Sequence, residues 1–354
     1  MDLSDLTIKN NVSKKELPDF NTLVFGKNYS DMMITVKHSL EQGWHDAKIE
    51  DFHNFEVSPA MSSLHYSQEI FEGMKAYYRA DGKIGLFRPE ENFKRFGRSA
   101  ARMCMPEIDV NFCLESLYKL LELEKRWIPN LDNSSLYIRP TMIGTYPMIG
   151  MKPSETYLYY VILSPVGAYF QTKEGLKILA EDKYVRAVAG GTGEAKTGGN
   201  YAASLLASKE ANENGYSQVM WLDGVHRKYV EEVGTMNIFF VYGNKLKTPR
   251  LNGSILPGIT RDSVIKLAKH HNLEVEECDL DINQVVADIA SGELTECFGS
   301  GTAVVISPVA TIGYQGTDYT LKNNATPVTD KIYKCLTDIQ YGRAEDTFGW
   351  TVSL

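Results

Sequence analysis

The chain has 354 residues, 43% of them apolar, with 14 Phe and 20 Tyr and a formal net charge of −8. That length exceeds a usual single core and leads us to expect two domains. The interleaved acidic and basic residues exclude a nucleic-acid footprint, and no apolar run reaches the roughly 20 residues of a membrane span. The five cysteines (104, 113, 278, 297, 335) never fall in a C-x-x-C spacing. They read as buried thiols in a reducing compartment, and not as a disulfide frame or zinc site. The start Met1-Asp2-Leu3-Ser4-Asp5 has no apolar signal core, so a cytoplasmic protein is expected.

In chain order, residues 32–36 have strand character, as do 83–87 after the turn Asp81-Gly82. Pro89-Glu90-Glu91 is a helix start, with proline in the first turn and acids at the positive pole. Phe93, Phe96 and Ala100 carry that helix on, and Leu117, Leu120 and Leu121 mark a second at the spacing of a buried face. Residues 136–140 and 157–163 read as strands, and Ser164-Pro165-Val166-Gly167-Ala168 as a break. The expected organisation is a smaller amino-terminal α/β domain over 1–165, a connection over 166–175 and a larger second domain over 176–354. The second half begins with a strand at 175–180 and passes through a glycine loop to a helix from about Ala202, stopped by Asn214-Gly215. Residues 218–222 and 229–232 flank Asp223-Gly224 as a hairpin, and 237–242 and 245–247 flank Gly243-Asn244 in the same way. Gly258-Ile259-Thr260 opens a helix with Val264, Leu267 and Ala268 inward; His270-His271 suit its negative end better than a metal. Strands at 294–298 and 304–306 surround the turn Gly299-Ser300-Gly301-Thr302-Ala303.

The run Gly190-Gly191-Thr192-Gly193-Glu194-Ala195-Lys196-Thr197-Gly198-Gly199-Asn200-Tyr201 carries the first chemical signal. So many glycines serve backbone conformations closed to side chains, or a close approach to a ligand. A lysine enclosed in such a loop loses hydration of its ammonium form, which favours the neutral amine that attacks carbonyls. The chemistry indicated is a Schiff base, with pyridoxal phosphate as the leading cofactor; an ordinary turn and a phosphate cradle are the alternatives. Lys196-Thr197 is preceded by Glu194-Ala195, so there is no G-x-x-x-x-G-K-[ST] and no P-loop. Gly258-Ile259-Thr260 suits phosphate through helix-start amides, and Gly299-Ser300-Gly301-Thr302 offers a close-approach turn with a hydroxyl, though each alone is equally a plain turn. Glu232 is either a solvent-facing strand residue or the carboxylate that keeps a pyridine nitrogen protonated.

Eight segments together resemble the branched-chain amino-acid aminotransferases, pyridoxal-phosphate enzymes of fold type IV. They are Leu23-Val24-Phe25-Gly26, Ser63-Leu64-His65-Tyr66-Ser67, Phe71-Glu72-Gly73-Met74-Lys75-Ala76, Leu136-Tyr137-Ile138-Arg139-Pro140, Lys196-Thr197-Gly198-Gly199-Asn200-Tyr201, Glu232-Val233-Gly234-Thr235-Met236-Asn237, Leu256-Pro257-Gly258-Ile259-Thr260-Arg261 and Gly299-Ser300-Gly301-Thr302-Ala303. They occur in family order over nearly the whole chain.

The resemblance implies a two-domain fold of mixed α/β (α+β) character and a homodimer that exchanges amino groups between L-leucine, L-isoleucine or L-valine and 2-oxoglutarate, giving L-glutamate. It implies Lys196 as Schiff-base lysine and proton shuttle, Glu232 beside the pyridine nitrogen and Tyr201 on the cofactor's phenolic oxygen. Arg95, the Ile259 and Thr260 amides and Thr302 would hold the phosphate; Thr235 and the Ala303 amide would receive the substrate carboxylate. Phe25, Phe71 and Tyr137 would line the side-chain pocket, with Tyr66, Ile149 and Met151 supplied by the neighbouring subunit and Arg139 orienting tyrosine hydroxyls. No C-x-x-C follows the Gly-Thr-Ala turn, where Val304-Val305-Ile306-Ser307 stands, so no thiol switch is expected there. A D-amino-acid transaminase or an aminodeoxychorismate lyase of the same fold is the nearest rival, and a non-catalytic pyridoxal-phosphate carrier or a nucleotide-binding protein a more distant one.

Overall fold

The computed structural model describes residues 2–9, 14–167, 175–322 and 326–354. Contacts divide the chain into two units, one of Met1–Tyr169, Ala195–Gly198 and Ile339–Leu354, the other of Phe170–Glu194 and Gly199–Asp338. The glycine loop thus sends Lys196 with the first unit, and the chain end returns to that unit as well. Of the connection expected over 166–175, residues 168–174 lie outside the described residues.

In the first unit the strands are β1 (Thr7–Ile8), β2 (Met32–Ser39), β3 (Gly43–Asp51), β4 (Glu69–Phe71), β5 (Met74–Tyr78), β6 (Ile84–Phe87), β7 (Ser135–Gly144) and β8 (Thr156–Val166). They form one sheet in the order β1-β3-β2-β8-β7-β5-β6, closed at its edge by the terminal strand Thr351–Ser353, with β4 also paired to β7. Helices α1 (Ser62–Tyr66), α2 (Pro89–Arg102) and α3 (Val110–Leu123) accompany it. Phe93, Phe96 and Ala100 of α2 and Leu117, Leu120 and Leu121 of α3 are buried in one cluster with Ile34, Ile138 and Val161 of the sheet. Burying each large apolar side chain contributes about 1.5–3 kcal/mol. Asp109 caps α3, its side chain accepting from the Phe112 amide.

Strand β8 does not break at Ser164. It runs through Pro165 and Val166, which pair with Leu136 and Ser135. The proline is tolerated because β2 pairs with β8 only from Thr156 to Val161, so this end of β8 has a ladder on one side alone.

The second unit holds β9 (Leu176–Glu181), β10 (Gln218–Leu222), β11 (Val230–Val233), β12 (Met236–Tyr242), β13 (Lys245–Pro249), β14 (Glu274–Cys278), β15 (Glu296–Gly301), β16 (Val305–Tyr314) and β17 (Thr317–Thr320). The order is β11-β10-β9-β16-β15-β12-β13-β14, and β11 also pairs with β12, so the ladder from β9 round to β16 closes on itself. Both expected hairpins are present, around Asp223-Gly224 and Gly243-Asn244. Helices α4 (Gly198–Ala202), α5 (Leu205–Glu213), α6 (Ile259–His270), α7 (Ile282–Ser291) and α8 (Pro327–Gln340) complete the chain.

Two expectations for this half need correction. The helix expected from Ala202 is two pieces, because α4 ends there and α5 starts at Leu205. Ser204 turns its hydroxyl back onto the Tyr201 carbonyl at 2.6 Å, a local bond that competes with helix continuation. Gly299, Ser300 and Gly301 are not a turn but the end of β15, paired with Ser307, Ile306 and Val305; the reversal falls on residues 302–304. Nor are all the thiols buried, for Cys104 is exposed and Cys278 and Cys335 are half-buried. Among the described residues no helix is long and apolar enough to cross a membrane.

Candidate active site

In the first unit the lysine loop is fastened to β4 and α2 through its backbone and the Thr197 hydroxyl. The Lys196 amide donates to Ser99 Oγ at 3.0 Å, the Lys196 carbonyl accepts from the Phe71 amide at 3.0 Å, and Thr197 Oγ1 donates to the Glu69 carbonyl at 2.7 Å. The Glu69 carboxylate packs against Gly198, where a Cβ would lie 2.0 Å from Oε1 and would displace that side chain. These contacts leave the half-buried Lys196 with its Nζ 4.9 Å from the centre of the Phe71 ring.

The same ring carries Arg139, whose guanidinium carbon is 4.7 Å from its centre. Arg139 Nη2 donates to Tyr137 Oη at 3.1 Å, and Phe25 meets Tyr137 edge-on at 4.9 Å. A Cβ on Gly73 would sit 2.0 Å from Tyr137 Oη, so only glycine lets the phenol reach that backbone. Phe25, Phe71, Tyr137, Arg139 and Lys196 therefore form one aromatic and cationic group. Tyr66, Ile149 and Met151 are on the surface of the same unit, 38%, 69% and 88% exposed.

Arg95 is buried on the inner face of α2. Its Nε lies 2.7 Å from Glu72 Oε1 and its Nη2 2.9 Å from Oε2. Asn92 Nδ2 and the Gly73 amide also donate to Oε2, at 2.8 and 3.1 Å. Burial alone would raise the Glu72 carboxyl, but the Arg95 charge and hydrogen bonds, with Lys196 and Asn92, hold it below the usual carboxylate range. Glu72 thus lies at the electrostatic centre of this half, a role its place in the Phe-Glu-Gly run does not announce. A second buried lysine, Lys75, stands opposite Tyr137 in the ladder and is pushed down to about 8 by burial.

In the second unit Tyr201, Glu232 and Thr235 line one small cleft with Arg186, Asn200, Ser204, Gly234 and Leu256. Glu232 is buried. Its Oε1 accepts from Asn237 Nδ2 at 3.1 Å and from the Leu256 amide at 3.3 Å, and Arg186 Nε lies 2.6 Å from Oε2. Gly234 and Thr235 form the two-residue link between β11 and β12, with Gly234 at φ +57° and Thr235 exposed.

Asn237 ties three parts of this half together. Besides Glu232 it donates to the Leu256 carbonyl at 3.0 Å, it stands opposite Ser300 in the ladder, and its Oδ1 lies 2.0 Å from where a Cβ on Gly258 would be. Gly258 is the N-cap of α6, whose first turn carries Ile259 and Thr260. A helix of this length directs first-turn N–H groups outward, where an anion is favoured. Ser300 Oγ is buried with no hydrogen-bond partner among the described residues. Half-buried Thr302 and Ala303 follow it in the turn that ends at Val305. Val305 has φ +62°, a conformation that strains a β-branched residue by about 1–3 kcal/mol; such strain concentrates at binding turns.

Within the first unit stands an amine over an aromatic ring; within the second stand a phenol and a held carboxylate in one cleft, a helix start, and a buried hydroxyl without a partner among the described residues. Each of these donor types suits a phosphorylated pyridine aldehyde. Arg186 and Glu72 were not expected to take part, because their partners are distant along the chain; Asn237 was passed over although it stands in the same run as the Glu232 it bonds.

The family model described as amino-transferase class IV matches residues 69–312. A probable branched-chain-amino-acid aminotransferase of Staphylococcus epidermidis is 51% identical over 345 residues, 97% of this chain and 96% of that protein. Branched-chain-amino-acid aminotransferase 2 of Bacillus subtilis is 47% identical over 346 residues, 97% of this chain and 95% of that protein. Among solved structures, the branched-chain aminotransferase of the thermophilic archaeon Thermoproteus uzoniensis with norvaline superposes with a TM-score of 0.76 at 25% identity, covering 91% of this chain and 99% of that one. Another branched-chain amino acid aminotransferase, from T.th., was solved with pyridoxamine 5'-phosphate; it superposes with a TM-score of 0.75 at 26% identity, covering 90% of this chain and 97% of that one.

Proposed function

The chain belongs to the class IV aminotransferases, and from that premise we propose that it transfers the amino group of L-leucine, L-isoleucine or L-valine to 2-oxoglutarate with pyridoxal 5'-phosphate as cofactor. The observation that carries this reading is the grouping of Lys196 with Phe71, Tyr137 and Phe25. It puts an amine beside a large apolar wall suited to a branched aliphatic side chain, in a chain whose relatives are named for that substrate class.

Pyridoxal phosphate, when bound, supplies an electron-withdrawing ring that stabilises charge at the substrate α-carbon. The residues that would hold it are Lys196, Tyr201, Glu232, Arg95, Thr302 and the first-turn amides of Ile259 and Thr260. Lys196 Nζ would take the proton from the substrate α-carbon once the substrate amine has displaced it. Thr235 and the Ala303 amide would receive the α-carboxylate. Arg139, which already orients the Tyr137 hydroxyl, would turn it toward the second carboxylate of 2-oxoglutarate. Amino donor and acceptor would use this pocket in turn, giving ping-pong kinetics. The exposed Tyr66, Ile149 and Met151 support a homodimer in which each subunit completes the other's pocket, and we place the enzyme in the cytoplasm.

The test is the visible spectrum of the purified protein before and after L-leucine, without a keto acid. The reading expects a coloured protein that bleaches and releases 4-methyl-2-oxopentanoate. A coloured protein untouched by L-leucine but bleached by D-alanine would replace the substrate class. One that stays colourless in pyridoxal phosphate would overturn the cofactor as well.

A further inference from the structure

Arg186 is half-buried in the second unit with its side chain enclosed, and none of the motifs that mark the site reaches it. Its Nε is 2.6 Å from Glu232 Oε2, and both side chains are under a tenth exposed. The Nε–H direction misses a hydrogen bond, so the pair is held by charge. The rest of the guanidinium is anchored independently. Nη2 donates to the Gly193 carbonyl at 3.3 Å and to the Ser254 carbonyl. Those two segments interlock so closely that a Cβ on Gly193 would strike Ser254 O at 2.1 Å. The cation is therefore held by two backbone carbonyls as well as by the carboxylate it faces.

We propose that Arg186 is a positioning residue that keeps Glu232 ionised and aimed, and through it keeps the ring nitrogen of the cofactor protonated. The inference rests on the reading of the site given above. An arginine stays charged throughout the working pH range. Placed 2.6 Å from Oε2, it favours the carboxylate over the carboxylic acid. Oε1 is meanwhile held by the Asn237 amide group and the Leu256 N–H. With both oxygens fixed, a proton shared between Glu232 and a pyridine nitrogen resides on the nitrogen. Without Arg186 the buried carboxyl becomes a better competitor for that proton. Coulomb attraction falls with distance, so the guanidinium acts most strongly on the carboxylate it touches.

The test uses holoenzyme reconstituted with pyridoxal phosphate labelled with nitrogen-15 in the ring, for wild type, Arg186→Met and Arg186→Lys. The readouts are the ring-nitrogen resonance at neutral pH, cofactor retention, and kcat and KM for L-leucine. Arg186→Met is expected to retain the cofactor and move the resonance toward that of unprotonated pyridine. Its kcat should fall about 10- to 100-fold, as for a lost charge-assisted contact, with KM little changed; Arg186→Lys should recover part of both. An unmoved resonance in Arg186→Met overturns the inference. So does failure of both variants to fold, which would make Arg186 only a fastener of loops. If Arg186→Met alone fails to fold, Arg186→Lys decides, by a resonance between the two limits or one equal to wild type. A wild type that takes up no cofactor overturns the reading of the site and this inference with it. A coloured, active wild type beside an unchanged Arg186→Met overturns this inference alone.

Discussion

Replacing Glu72 by glutamine tests the charge pair at the centre of the first unit. Glu72 has no exposed surface, and its two oxygens accept two bonds from Arg95, one from Asn92 and one from the Gly73 amide. Glutamine keeps the shape, but it loses the charge and turns an NH2 group toward the guanidinium or toward Asn92, donor against donor. Removing one partner of a buried ion pair costs about 3–5 kcal/mol, because the other charge stays in the interior. Glutamine retains one acceptor, so about 3 kcal/mol is expected. At about 2–4 °C per kcal/mol for a unit of this size, that lowers Tm by roughly 10 °C. The pH dependence has a definite sign. The Glu72 carboxyl is held below its ordinary range despite burial, by Arg95 first and by Lys196 and Asn92 as well. Its contribution is therefore complete above the ordinary carboxylate pKa and is lost as pH falls through the depressed folded value. Urea and thermal unfolding, followed by circular dichroism, should show a gap between wild type and Glu72→Gln that is widest near neutrality and narrows in acid. Adding Arg95→Met to Glu72→Gln should recover more than about 1 kcal/mol, since the two residues are directly coupled. A single variant within about 0.5 kcal/mol of wild type at neutral pH would refute the reasoning, as would a gap that acid leaves unchanged.

Lys196→Ala should lose both turnover and visible colour, while Lys75→Met keeps the colour; the reverse pattern in a spectrophotometer would move the Schiff base to Lys75. Lys75→Met should also stabilise the protein near neutral pH by about 3 kcal/mol, since burial pushes this lysine down to about 8 from its ordinary value near 10.5. Its charged form opposes folding, so wild-type stability should rise between those two pKa values and that rise should vanish in the variant, as urea melts across alkaline pH would record. Asp223 is held down to about 2 although burial opposes it, because the backbone N–H groups of His226, Tyr229, Lys228 and Val225 point at its carboxylate. Asp223→Ala should cost about 2 kcal/mol at neutral pH, an effect that fades as acid takes wild type toward pH 2 in the same assay. Glu232→Gln should retain the cofactor and lose kcat about 10- to 100-fold, measured with saturating L-leucine.

What the chain revealed in advance was whatever rests on local spacing. Helix α2 announces itself through Pro89, its acidic first turn and the Phe93, Phe96, Ala100 stripe, and those side chains are buried as the spacing requires. The hairpins around Asp223-Gly224 and Gly243-Asn244 are equally local. Strand β3 was silent because its run His45-Asp46-Ala47-Lys48 is mostly polar; the ladder with β2 holds it, with Lys37 opposite His45 and Thr35 opposite Lys48. Helix α7 carries Ile282, Val285, Val286 and Ile289 at helical spacing behind an Asp281 cap, a legible signal that a reading centred on glycine turns passes over. Pro165 misled for the opposite reason, since a rule about sheet interiors does not apply to the part of β8 that has only β7 beside it.

The candidate site divides along the same line. Lys196, Tyr201 and Glu232 stand in short runs that resemblance can read, yet the groups that decide their chemistry are far away in sequence. Glu72 looks like one more acid in a strand until Arg95, Asn92 and the Gly73 amide converge on it. Arg186 looks unremarkable until its Nε comes within 2.6 Å of Glu232 Oε2, while Oε1 accepts from the nearby Asn237. A carboxylate buried without such partners would take up a proton or leave the interior. The motif residues can therefore be read one segment at a time. Their ionisation is a property of tertiary packing, and it is there that Arg186→Met and Glu72→Gln probe what spacing alone cannot encode.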